Sequence, residues 1–98
     1  MDELTVEKKA KEKGLNAPRL TPDDINAKIK GTTFTNLPSG KCVVCEITLV
    51  NGFTVRGESA CVSPANFDQE IGNGIAQTHA RGKIWQLEGY LLQENNPV

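Results

Sequence analysis

Several residue types that announce a chemistry are scarce in this 98-residue chain, which has one histidine, three cysteines and one tryptophan. A lone imidazole excludes His-rich metal centres and leaves any Ser or Cys nucleophile a single possible base. Three cysteines are too few, and odd in number, for a secreted disulfide scaffold, so they read as reduced thiols of a cytosolic protein. Eleven basic against twelve acidic side chains give a net charge of −1, which excludes the strongly basic field of most nucleic-acid modules. Apolar runs stay far below the roughly 18 residues of a membrane span. Met1 leads into Asp2, Glu3 and Glu7 rather than a basic start, so neither a signal peptide nor a membrane segment is expected.

What is present fits one small domain with 38% hydrophobic residues. A chain of this length buries only about 60–65% of its unfolded surface, so self-association is within reach. Residues 1–19 mix Lys8, Lys9, Lys11, Lys13 and Arg19 with Asp2, Glu3, Glu7 and Glu12, and read as a charged arm, mobile or weakly helical. The folded body is expected over 20–98.

Thr21-Pro22 opens a helix. Thr21 is a fitting N-cap, Pro22 suits the first helical position, Asp24 completes a capping box and Leu20 can staple onto Ile25. Gly31 is expected to end this helix, and Thr32–Thr35 to form a short strand before the turn around Pro38 and Gly40. Two β-rich runs flank Asn51-Gly52. A two-residue turn would put Ile47 opposite Arg56 and mix the faces. A three-residue loop, Val50-Asn51-Gly52, with Gly52 left-handed, pairs Leu49 with Phe53 and Ile47 with Val55 instead. Thr48 then meets Thr54, and Glu46 meets Arg56, on the wetter face. The predicted core face is Val43, Cys45, Ile47, Leu49, Phe53 and Val55.

Ser63-Pro64 repeats the helix-start pattern, with Val62 placed to staple onto Phe67. The helix from Pro64 would carry Phe67, Ile71, Gly74, Ile75 and Thr78 on one face, and Gly82 would divide it from a last helix running to about Leu92. The fold class is therefore α+β: a two- or three-stranded antiparallel sheet around the hairpin 42–62, with one helix before it and two packed after it on one face.

Cys42-Val43-Val44-Cys45 has the spacing of a zinc knuckle or a redox pair. On a strand, however, residues three apart point to opposite faces and cannot share a metal or a disulfide. Gly57-Glu58-Ser59-Ala60-Cys61 is a weak match to a nucleophile elbow, lacking its second glycine and lying within a strand. His79 reads as a surface helix residue. Catalytic, cofactor and metal sites are not expected, and neither is enzyme activity.

Leu49–Val55, Gly57–Val62, Pro64–Asp68, Lys83-Ile84-Trp85 and Leu87–Leu92, in that order, resemble a family of tailed-bacteriophage and prophage proteins named after gene product 49 and gene 66 of two phages. The likeness covers residues 20 to about 93. It departs at Gly74 and Gly82, where charged helix formers are common, and at Gln86, where proline is frequent. The resemblance implies a phage or prophage origin and work in the cytoplasm of an infected bacterium, and it brings no activity with it.

Recognition then falls to the apolar arc of the last helix. Trp85, Glu88, Tyr90 and Leu92 form the candidate partner interface, for a host or phage protein or a second copy of the chain. The alternative is a nucleic-acid or nucleotide module using Arg56 and the basic arm, against which the charge balance weighs. A third reading, an enzyme site around Ser59, Cys61 and His79, has no motif behind it.

Overall fold

At Thr21 the expected capping box closes in both directions: the Asp24 amide donates to Thr21 Oγ1 at 3.2 Å, and the Thr21 amide to Asp24 Oδ2 at 2.9 Å. These bonds and the other contacts below come from a computed structural model describing residues 1–98. The cap starts a seven-residue helix, Pro22–Lys28, which is the second of three. The first, α1, spans Glu3–Glu12, with Asp2 capping Thr5. In α2 (Pro22–Lys28) the buried residues are Pro22 and Ile25.

The helix does not wait for Gly31 to stop it. Ile29 is already extended, with ψ of 122°, and begins β1 (Ile29–Asn36), longer than the short strand expected. Gly31 sits instead at an irregularity of the β1 ladder, without a positive φ. Strands β2 (Cys42–Leu49) and β3 (Thr54–Ala60) complete an antiparallel sheet in the order β1-β2-β3.

The hairpin register is the predicted one. Ile47 pairs with Val55, Thr48 with Thr54 and Glu46 with Arg56, and the Leu49 amide donates to the Phe53 carbonyl at 2.7 Å. Gly52 has φ of 91°, a left-handed conformation that costs glycine little. Strand β2 buries every second residue: Val43, Cys45, Ile47 and Leu49 join Val55 in the core. Cys42 and Cys45 therefore lie on opposite faces, Cys45 buried and Cys42 half-buried. Phe53 is the exception to the predicted core face, being 55% exposed. It stands at the turn, where the ladder ends and the helix above no longer seals it.

Beyond the sheet the fold departs most from expectation. Pro64–Asn66, capped by Ser63, makes only a 3-10 turn, and Val62 is exposed rather than stapled to Phe67. A new cap, Asp68 accepting from the Ile71 amide at 2.9 Å, starts one continuous 27-residue helix, α3 (Gln69–Asn95). Gly82 does not divide it. With nothing within 4 Å of a Cβ there, Gly74 and Gly82 each cost about 1 kcal/mol against Ala. Burial of a stripe along the same helix outweighs that.

That stripe is Gly72, Ala76, Ala80 and Ile84, one residue round from the predicted Ile71 and Ile75, which are exposed. The reason is distance. A Cβ on Gly57 of β3 would overlap the backbone of Ala76 and Ala80 and stand 2.8 Å from His79 Cβ, so the helix lies nearly on the strand. Only glycine and alanine fit between them. Ser59, also inward, donates to the Gly72 carbonyl at 2.8 Å.

The charged arm is helical and tied to the body. Glu3 accepts from Arg81 at 2.6 and 2.9 Å and from Trp85 Nε1 at 3.0 Å, while Glu7 meets Arg19 at 2.5 Å.

Candidate interaction surface

Strand β3 pairs only with β2, so every second backbone group of β3 points away from the sheet. The bond from Leu49 to the Phe53 carbonyl puts the odd-numbered residues of this segment on the β2 side. The Glu58 carbonyl faces out, where His79 Nδ1 donates to it at 2.9 Å. By the same alternation the amides of Arg56, Glu58 and Ala60 face outward.

Above this edge runs a second row of α3. Ile71, Ile75, His79, Lys83, Leu87 and Leu91 recur every four residues, beside the buried row and on the solvent side. Strand edge and helix row enclose three adjoining open depressions. The central one, about 520 Å³, is lined by Arg56, Glu58, His79 and Lys83 among others. One end, about 400 Å³, has Phe53, Leu87 and Tyr90; the other, about 110 Å³, has Cys61, Ile71 and Ile75. Arg56 reaches Glu46 at 3.5 Å and Thr54 Oγ1 at 3.1 Å, whereas Lys83 joins no ion pair.

The four candidate interface residues separate. Trp85, Glu88 and Leu92 are half-buried, Trp85 against α1; only Tyr90, 74% exposed, stands free. Trp85 spends its indole N–H on Glu3. The Arg81 guanidinium holds the Glu3 carboxyl below its ordinary range, and Glu3 in turn raises Arg81. Burial alone pushes the Cys45 thiol up.

Ser59, Cys61 and His79 make no hydrogen bond to one another; each is bonded to a backbone carbonyl, of Gly72, Ser63 and Glu58 respectively. Phe53, Lys83 and Leu87 had no place among the sequence candidates. For Lys83 and Leu87 the signal is the four-residue recurrence from Ile71 to Leu91, legible only once the buried row is known to be its neighbour; Phe53 carries no such signal.

A family model described as phage protein (N4 Gp49/phage Sf6 gene 66) family matches residues 20–96. The chain belongs to this phage protein family. The match begins just before α2 and takes in the whole sheet, α3 and the groove, leaving α1 outside. No curated protein and no solved structure matches the chain. No helix of this Gp49/gene 66 family member is long and apolar enough to cross a membrane.

Proposed function

We propose that this Gp49/gene 66 family member is a non-enzymatic accessory protein of a phage or prophage, acting in the host cytoplasm by binding another protein. One observation carries the reading. Phe53, Leu87 and Tyr90, 55%, 43% and 74% exposed, border a single open depression, with Leu91, 51% exposed, next along the helix. Scattered apolar side chains are ordinary on a surface, but a cluster containing two aromatics around one concavity is the composition of a binding hot spot.

Leu87 and Tyr90 make no contribution to the buried core, so truncating them should spare the fold. Wild-type protein and the Leu87→Ala/Tyr90→Ala double variant are compared in affinity capture from infected-cell lysate. The wild type is expected to retain a protein that the double variant loses, with circular dichroism unchanged. Identical captured sets from both would defeat the reading. A nucleic-acid role has less behind it, because Arg56 is turned to Glu46, and the lysines of α1 lie between Glu7 and Glu12.

A further inference from the structure

We infer that the groove between β3 and α3 takes up an extended peptide segment of a partner as a fourth strand of the sheet. This rests on the protein-binding reading above and adds the conformation and chemistry of what is bound. Sheet edges with outward amides are templates for strand addition, in which main-chain bonds give affinity and flanking side chains give selectivity. Here the outward amides of Arg56, Glu58 and Ala60 lie under the exposed row of α3, so an added strand would meet both a ladder and a wall. The His79 bond to the Glu58 carbonyl closes the edge at one point and must open when the ladder forms.

Antiparallel pairing with a second copy through its own β3 is opposed by the helices. Helix α3 lies almost on β3, with no room for a Cβ on Gly57. Two copies joined edge to edge would bring their α3 helices to about one strand spacing, roughly 4.8 Å, where helices need about 8–10 Å. A segment with no helix over it has no such conflict.

Charge defines its middle and apolar contact its ends. Lys83, free of any carboxylate, borders the central depression from α3, with Glu58 and Arg56, the latter turned to Glu46, across from it on β3, while Ile71 and Ile75 lie toward one end and Phe53, Leu87 and Tyr90 toward the other. A fitting segment carries an acidic residue near its centre and apolar residues toward both ends, alternating along one face.

The full chain is offered a displayed library of random 12-residue peptides, and the enriched sequences are synthesised. Enriched peptides are expected to show that acidic centre, to protect the amides of Arg56, Glu58 and Ala60 from hydrogen exchange, and to weaken at least tenfold against Lys83→Glu. Glu58→Pro removes one outward N–H without touching the β2 ladder, and should weaken them likewise. Should that variant misfold, peptides N-methylated at alternate amides supply the same block, with an expected loss of at least tenfold. Full binding by the blocked forms with no amide protection, or no enrichment at all, overturns strand addition. Lysate capture that still depends on Leu87 and Tyr90 would then show that protein binding survives and only its strand form has failed. Concentration-dependent dimerisation that protects the same amides would replace the peptide by a second copy, and also overturns the inference.

Discussion

Helix α3 is held on two sides by opposite means. Against the sheet it presents Gly72, Ala76 and Ala80 to Gly57, backbone nearly on backbone, with the Ser59 hydroxyl bonding into the helix. Against α1 it uses charge, with Glu3 bonded to Arg81 and Trp85 and each partner partly exposed. The first contact works by leaving out atoms and has no slack, because interiors are packed to crystal-like density. The second is a set of long side chains that can exchange protein for water, and such pairs contribute little at the surface. The fold depends on the first; the second only fastens a helix to it.

The sharpest challenge to this contrast is Gly57→Ala. The added methyl has no route out between Ala76 and Ala80, so a loss of about 3 kcal/mol or more is expected. Thermal unfolding should fall by roughly 12 °C or more, and a shift under about 3 °C would mean that the helix can lift at little cost.

Next in size is Glu3→Gln. It should cost about 1 kcal/mol at most, discounted for exposure, and alter the fluorescence of Trp85, the single tryptophan. Acid should do the same to the wild type. Because the folded carboxyl sits below its ordinary 4.5, its contribution is complete above that pH and fades as the pH falls through the lower folded value. The fluorescence change on acidification should therefore be absent from Glu3→Gln. If both proteins respond alike, the indole is not reporting this contact.

The smallest effect is expected at Gly82, whose missing Cβ meets nothing. Gly82→Ala should stabilise by about 0.5–1 kcal/mol, in contrast to the same change at Gly57. Denaturant midpoints of the two variants would move in opposite directions. A destabilised Gly82→Ala would show that α3 bends there in solution.

The hairpin was legible in the sequence because the turn and both faces of the ladder constrained one another: only one loop length put Ile47 with Val55 and Glu46 with Arg56. The start of α2 was legible because its cap is local. Helix α3 departs from its hydropathy pattern for a non-local reason. Ile71 and Ile75 looked like its packing face by hydropathy, but the strand approaches too closely for isoleucine, and alanine and glycine took the place. Nothing within residues 64–95 reveals that constraint; it resides in Gly57. Phe53 follows the same logic: its pairing is set by the turn, while its cover depends on where α3 passes overhead. Of the four interface candidates, the periodicity placed Tyr90 on an apolar arc but could not show that Trp85 would be engaged by Glu3, 82 positions away.

Length alone carries one last consequence. A helix of 27 residues extends about 40 Å, whereas the eight residues of β2 reach only about 27 Å. Unless it breaks, such a rod cannot rest on the strands along its whole span, and part of it must project like a beam past its support. Since Gly72 packs on Val43 and Ser59, the overhang falls at the C-terminal end, where Gly89 meets Leu20 rather than a strand and Leu91 is left half exposed as a matter of arithmetic as much as of residue choice.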